Sequence, residues 1–473
     1  MSSPGSLLMD PGAPSPAAVD RSGRSGRALT ALGSRIASWH ESRTQDPRWA
    51  RFTAHFQVLR AVLDSMLTAI SDRHATVESS TTPSGEVYAA MRVIDHQIDT
   101  VRRIFEWYAD KYDQRSDPSM GDALRAADEL VRSCWTEPFA VLGRRPVPPG
   151  PLTYLDARYD AVATPRHSVP TDLRAPADAV IAEFIRQLPI PVIALPSVAA
   201  SESWWIVLAA HETGHHLQYE LDPTLVDRTR TAMLGAAGDL SGEWYSWALE
   251  AFADALSVLL VGPAATWAVA DMQYGTSSQL GRAPEQGDRY PPPLVRLAFM
   301  GEIARVSGFP DPGPAVEDVE RWCNSMLATQ AQRDVLTRHL GAVPAVAQAM
   351  LGLAIQDVDL GSLCATDVSA YAPGGRIENW ATRLTAASPS FTGRDSRPAA
   401  RRAIAAGVRA HLDAAGSPSQ QEATRQATIN DNLKHLLLGC GPEGVLAGVG
   451  AQDVSALAVD LSAQLMSLSP TDR

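Results

Sequence analysis

Residues 201–223 read SESWWIVLAAHETGHHLQYELDP and contain the pattern that decides how the chain is interpreted. His211 and His215 bracket Glu212 in the order H-E-x-x-H, and Pro223 is expected to end the helix that carries them. Residues four apart lie on one face of a helix, so both imidazoles can reach a single metal ion while Glu212 lies beside them. The stretch therefore predicts a metal site on a helix.

A third ligand is needed, because catalytic zinc generally takes three protein ligands and keeps its fourth position for water. Residues 241–263, SGEWYSWALEAFADALSVLLVGP, predict a second helix that begins near Ser241 and ends at the Gly-Pro pair. Glu250 is favoured over Glu243 as the ligand, because only Glu250 is followed one turn later by another acid, Asp254. Asp254 is placed to accept a hydrogen bond from the outer nitrogen of a liganding histidine.

The two motifs together resemble the gluzincin, or thermolysin-like, branch of the zinc metallopeptidases, in which a helix with E-x-x-x-D follows the HExxH helix. This resemblance implies a zincin-like core, a Zn²⁺ cofactor and hydrolysis of peptide bonds through a metal-activated water. It implies that His211, His215 and Glu250 are zinc ligands, that Glu212 is the general base, and that Asp254 supports a liganding histidine. The longer metzincin pattern HExxHxxGxxH is absent from the sequence.

A peptidase also needs a donor that stabilises the negative charge developing on the scissile carbonyl oxygen. Residues 288–302, DRYPPPLVRLAFMGE, resemble the HPPxxxR segment of some small gluzincins, with Tyr290 in the place of the histidine. Tyr290 and Arg296 are therefore the candidate donors, and Tyr245 and Tyr274 compete with them. The alternative interpretation of this segment is a helix that starts at prolines and carries a surface arginine.

Composition narrows the class of protein and its partners. The 473 residues are 45% hydrophobic and 20% charged, which is typical of a globular chain with a sizeable core. The net charge of −12 argues against nucleic acid as a partner. The four cysteines lack metal-ligand or disulfide spacing, and no apolar run reads as a signal peptide or a membrane span, so a cytoplasmic location is expected. A peptide or protein substrate and a regulatory protein partner are the expected partners.

The chain is expected to be mainly α, of the α+β class, with a small sheet in its central part. Residues 1–26 are rich in Pro, Ser and Gly and predict a disordered tail. Residues 27–143 predict an N-terminal helical region with two long amphipathic helices. The proline-rich stretch RRPVPPGP at 144–151 predicts the boundary before the zincin-like core at 150–305.

Within that core, IPVIALP at 190–196 predicts an edge strand, and a second strand is expected between residues 152 and 162. Residues 306–473 predict a C-terminal helical region. Its arginine-rich stretch at 394–409 predicts a solvated helix face.

Three alternatives to a peptidase stay open at this stage. The histidines and acids could satisfy one another in a buried helix pair, although burying three acids without a cation is costly. The core could be a zinc-stabilised scaffold that binds partners without catalysis. The presence of Glu212 argues against this interpretation, because a general base is not needed for structure. Finally, a zinc hydrolase could act on a bond other than a peptide bond.

Overall fold

The computed structural model describes residues 15–79, 83–156, 161–164, 188–273, 276–280, 282, 284–285, 287–310, 321, 329–415, 420–441 and 451–467. The described residues are mainly helical and include a small sheet, as the sequence predicts. The α-helices are α1 Pro16–Thr44, α2 Thr53–Ser79, α3 Ser84–Asp113, α4 Gly121–Val141, α5 Leu208–Glu220, α6 Leu225–Ala236, α7 Ser241–Val261, α8 Ala264–Gln273, α9 Ser277–Leu280, α10 Pro293–Val306, α11 Gln330–Leu351, α12 Leu360–Leu363, α13 Arg376–Leu384, α14 Ala399–Ala414, α15 Gln420–Leu438 and α16 Ala451–Met466. The strands are β1 Leu152–Asp156, β2 Val162–Thr164, β3 Val192–Pro196, β4 Ala354–Ile355 and β5 Val358–Asp359.

The chain divides into two compact units, and neither is a single continuous stretch. Unit 1 comprises Met1–Tyr112, Arg166–Ile190 and Leu446–Arg473, whereas unit 2 comprises Asp113–Pro165 and Pro191–Val445. These limits differ from the boundaries expected at 143–150 and 305–306. The proline-rich stretch 144–151 lies inside unit 2, since α4 before it and the sheet after it belong to the same unit.

Unit 1 contains the two long amphipathic helices that the sequence predicts, α2 and α3. Their apolar stripes are buried, with Ile70 of α2 and Ile94 of α3 fully enclosed. Helix α16 packs against α2, and the Ser462 hydroxyl donates a hydrogen bond of 2.8 Å to the Ser65 hydroxyl across this contact. The first and last described helices of the chain thus belong to one bundle.

The expectation of a disordered tail is wrong from residue 16 onward, because α1 begins at Pro16. The side chain of Ser15 accepts a hydrogen bond from the Ala18 amide and caps the helix. The small residues that made the segment look unstructured allow close packing: the Ser22 hydroxyl lies 3.2 Å from Nε2 of buried His74 in α2. Residues 1–14 lie outside the described part of the chain.

The core of unit 2 is built from helices on both sides of the predicted catalytic segment. Helix α7 packs against α5, α6 and α10, and its Trp244 and Trp247 are almost completely buried. Residues of α4, α14 and α15 belong to the same hydrophobic cluster. The region 150–305 therefore shares one core with helices outside it.

The three-stranded sheet has the order β1-β3-β2, so β3 is its central strand and the expectation of an edge strand is wrong. Strand β1 runs parallel to β3, with Tyr154 opposite Ala194, and β2 runs antiparallel, with Val162 opposite the same alanine. The prolines that suggested an edge are Pro191, just before the strand, and Pro196, its last residue, where they interrupt little of the ladder.

The arginine-rich stretch at 394–409 is not a uniformly solvated face. Arg401 is 2% exposed and donates a hydrogen bond of 3.1 Å to the buried carboxylate of Glu137 in α4. Arg409, by contrast, is exposed and pairs with Asp413. The solvated interpretation is therefore wrong for Arg401, whose charge is neutralised inside unit 2.

Among the described residues, the segment Gly238–Val261 is long and apolar enough to cross a membrane, by length and composition alone. Within unit 2, 83% of its most apolar window is buried. The apolar character of α7 is accounted for by its packing in the core.

Candidate metal centre

Helix α5 carries the HExxH motif through the interior of unit 2. His211, Glu212 and His215 are each only 6 or 7% exposed. The two imidazole rings lie with their centroids 4.8 Å apart, which is the consequence of four-residue spacing on one helix face. The neighbouring His216 points the other way, and its Nε2 lies 3.1 Å from the carbonyl oxygen of Val192 in β3. This contact fixes the helix against the sheet.

A glycine allows the second motif to approach the first. Helix α5 crosses α7 at Gly214, where a Cβ atom would lie 3.0 Å from Cα and 3.2 Å from the carbonyl oxygen of Ala253. This close crossing brings Glu250 of α7 up to the two histidines. One potential ligand atom from each of His211, His215 and Glu250 can be chosen so that all three lie within 4.8 Å of one another.

The donor set fits a metal ion. Oε2 of Glu250 lies 3.2 Å from Nε2 of His215 and 3.5 Å from Nε2 of His211. This buried oxygen has no hydrogen-bond partner among the described residues, so it is left facing the two nitrogens. Two imidazole nitrogens and one carboxylate oxygen are ligands that zinc commonly takes in catalytic sites. The arrangement therefore suits a divalent cation at this point.

Charge supports the same conclusion. Burial alone would raise the pKa of Glu250, but the imidazoles of His215 and His211 outweigh it and hold that pKa well below its usual range. Burial would likewise lower the pKa of His211, yet the carboxylate of Asp254 and the contact with Glu250 raise it to about 9. Without metal, a protonated histidine thus supplies the positive charge that these acids require.

Asp254 lies behind His211, as the sequence predicts. Its Oδ1 is 2.9 Å from Nδ1 of His211, and the carboxylate is completely buried. Arg296 of α10 donates to both oxygens of Asp254, from Nε at 2.7 Å and from Nη2 at 2.8 Å. Arg296 is 6% exposed, so the alternative of a surface arginine is wrong, although α10 does begin at Pro293 as that alternative expected.

Glu212 differs from the other acids of the site in lacking a partner. No hydrogen bond or ion pair is found for its carboxylate in the part of the chain that the structure describes. The group is buried among residues of the core yet stands beside the three potential ligands. A carboxylate in this position is available to accept a proton.

Arg289, which was not predicted from the sequence, contacts the site from the solvent side. Its Nε donates a hydrogen bond of 2.6 Å to Oε1 of Glu250, while the arginine side chain is 68% exposed. A lone arginine in a loop carries no spacing signal, although it directly precedes the Tyr290 that was singled out. Gln218 was also missed: its Nε2 lies 3.1 Å from Nδ1 of His215 and donates to the carbonyl oxygen of Leu249 at 2.9 Å.

Tyr290 lies near the site and is 43% exposed. The guanidinium carbons of Arg289 and Arg296 each lie 5.4 Å from its ring centroid. Burial and the negative charge of Glu250 raise the pKa of Tyr290, so the phenol remains protonated. Of the competing tyrosines, Tyr245 is exposed and packs against Arg230, and Tyr274 lies outside the described residues.

Comparison of the chain with protein-family models, with curated proteins and with solved structures gives no match. The site's own geometry, together with the motif resemblance, is what supports a function.

Proposed function

We propose that the protein is a zinc-dependent metallopeptidase whose unit 2 contains a zincin-like core of the gluzincin type. The proposed ligands are His211, His215 and Glu250, with Asp254 orienting His211. The observation that carries the proposal is the carboxylate of Glu212, which stands beside this three-residue group without a hydrogen bond or ion pair among the described residues. In a purely structural metal site, a buried acid that binds nothing would cost free energy without contributing to stability.

A zinc ion held by the three residues would supply Lewis acidity, which polarises a carbonyl group and acidifies a water molecule. The chain's own contribution to hydrolysis is proton transfer. Glu212 accepts a proton from the attacking water and delivers it to the departing amine nitrogen as the C–N bond breaks. Both transfers need a carboxylate that is not already engaged, which is how Glu212 stands in the structure.

Tyr290 is proposed to donate a hydrogen bond to the carbonyl oxygen as negative charge develops there. Its raised pKa keeps the proton on the phenol, and the residue is partly exposed. Arg296 was expected to share this role, but its Nε and Nη2 are both engaged by Asp254. We therefore propose that Arg296 is a positioning residue that acts through Asp254 on His211.

The test compares the full chain with Glu212→Gln and with a control, Glu243→Gln, on the neighbouring helix. Glu212→Gln keeps side-chain size but removes the base, so zinc content and fold should persist while hydrolysis falls by a factor on the order of 10² or more. The control should hydrolyse substrates as the wild type does. Proteome-wide detection of new peptide termini in cells expressing each variant measures the difference without a guessed substrate.

Each other outcome selects a different function. If wild type and Glu212→Gln produce the same termini and both hold zinc, the scaffold interpretation replaces the peptidase. If zinc is present and Glu212→Gln abolishes turnover of an ester or amide that is not a peptide, the enzyme is a hydrolase of another class. A fully folded wild type that binds no zinc overturns the site.

A further inference from the structure

The two oxygens of the Glu250 carboxylate have different environments. Oε2 faces the two imidazole nitrogens, whereas Oε1 accepts the Nε–H of Arg289 at 2.6 Å. An ionised carboxylate can bind a cation through one oxygen or through both. The hydrogen bond to Oε1 therefore bears on how Glu250 can bind a metal.

The position of Arg289 is set by the chain around it. It precedes Tyr290 and three consecutive prolines, whose rings fix the backbone dihedral φ where α10 begins. The guanidinium carbons of Arg289 and Arg296 each lie 5.4 Å from the centroid of the Tyr290 ring. Arg296 is in turn fixed by its two hydrogen bonds to Asp254. Arg289 is thereby linked, through the Tyr290 ring and Arg296, to the buried carboxylate of Asp254.

We propose that Arg289 is a positioning residue that occupies Oε1 of Glu250 and so restricts this ligand to binding through Oε2 alone. The inference rests on the proposed metal site. With Arg289 in place, one carboxylate oxygen and two imidazoles complete the protein's ligand set, and positions remain open for water and substrate. Without Arg289, both oxygens of Glu250 could bind the metal, and the coordination number of the metal would rise.

The positive charge of Arg289 has a second effect on metal affinity, opposite in direction to the positioning of Glu250. A guanidinium near the site repels a divalent cation, so removing its charge alone would tighten metal binding. Loss of an outer partner of a ligand typically weakens metal binding by about 10- to 100-fold. The direction of the change therefore distinguishes a positioning role from a merely repulsive charge.

The experiment uses the full chain, freed of metal with a chelator and titrated with Zn²⁺ against a competing chromophoric chelator. Arg289→Ala should bind Zn²⁺ about 10- to 100-fold more weakly than wild type. Arg305→Ala is the matched control: this α10 arginine is 66% exposed and donates two hydrogen bonds to Glu302, so its loss should leave affinity unchanged. An affinity for Arg289→Ala equal to or tighter than that of wild type overturns the proposal.

A second readout follows the coordination directly. Bound Co²⁺ should give the visible absorption spectrum of a four-coordinate ion in wild type, and the weaker spectrum of a five-coordinate ion in Arg289→Ala. Arg289→Met keeps much of the side-chain length but removes both the charge and the donor, and should resemble Arg289→Ala; a wild-type spectrum in the methionine variant overturns the hydrogen-bond explanation. A wild type that binds neither Zn²⁺ nor Co²⁺ refutes the metal site itself, whereas unchanged Arg289 variants of a metal-binding wild type refute only this inference.

Discussion

Arg296 and Asp254 form a buried two-point ion pair, with Nε–Oδ2 and Nη2–Oδ1 distances of 2.7 and 2.8 Å. The same carboxylate contacts Nδ1 of His211, so a line of three side chains joins α10, α7 and α5. Planar guanidinium and carboxylate groups fix each other's orientation as well as their distance. The orientation of a candidate metal ligand is thereby linked to a residue on a third helix.

Replacement of Arg296 by Met should destabilise the protein by about 3 to 5 kcal/mol, because it removes the guanidinium that pairs with both oxygens of the buried Asp254 carboxylate. Urea unfolding of the metal-free protein measures this loss. Arg305→Met on the same helix is the control and should change stability by no more than about 0.5 kcal/mol, since its ion pair is exposed. Equal effects of the two substitutions would contradict the importance of the buried pair.

Substitution of the ligands should separate Glu250 from Glu243. Purified wild type is expected to contain one zinc per chain, and His211→Ala, His215→Ala and Glu250→Ala should lose it, because each removes one of the three proposed ligands. Glu243→Ala should retain zinc. Metal analysis by mass spectrometry measures the content, and retention in Glu250→Ala with loss in Glu243→Ala would identify the other acid as the ligand.

The crossing of α5 and α7 should be sensitive to one methyl group. Gly214→Ala places Cβ 3.0 Å from Cα of Ala253, so the helices must separate slightly at a cost of about 1 to 3 kcal/mol, and zinc affinity should fall. Gly235→Ala in α6 meets nothing within 4 Å and should be neutral or stabilising by up to about 1 kcal/mol. Thermal unfolding with and without zinc tests both variants. Wild-type zinc affinity in Gly214→Ala would show that the spacing is not critical.

The stability of the metal-free protein should fall as pH rises above neutrality. The pKa of His211 is raised from 6.5 to about 9, so its protonated form stabilises the folded state fully below pH 6.5 and this contribution is lost towards pH 9. Between pH 6.5 and 8.5 the expected loss is about 2 kcal/mol. The lowered pKa values of Glu250 and Asp254 act only at acidic pH, where their contribution is lost as pH falls.

Urea unfolding in a chelator at several pH values checks this trend. His211→Asn should show little pH dependence in the same window, because it lacks the titrating group. With zinc bound the trend should disappear, since a liganding imidazole is already neutral. Wild-type stability that is constant from pH 6.5 to 8.5 without metal would contradict the raised pKa.

Periodicity and spacing predicted the parts of the structure that depend on residues close in the sequence. The limits of α7 follow from Ser241 at its start and the Gly-Pro pair after its end. The stripes of α2 and α3, and the placing of His211 with His215 and of Glu250 with Asp254 on shared helix faces, follow from three- and four-residue steps. Those steps dictate which side chains share a helix face, whatever the rest of the chain does. The proposed chemistry depends on this local information.

Features that depend on distant pairing were not predictable in the same way. The partner of Arg401 is Glu137, 264 positions away, and no pattern near either residue indicates it. The central place of β3 is set by which strands pair with it, whereas its prolines suggested an edge. The first part of α1, up to residue 26, was predicted to be disordered because small residues bury little apolar area, yet these residues allow the close approach that packing on α2 requires.

The packing of α16 on α2 also fixes an order of events during protein synthesis. The ribosome makes α2 early, but its partner helix is not available until residues 80–450 have been added. During that interval the apolar surface that α16 will cover is open to chaperones and proteases. A premature stop codon before residue 451 would leave this surface permanently uncovered, and cellular quality control would remove the shortened chain.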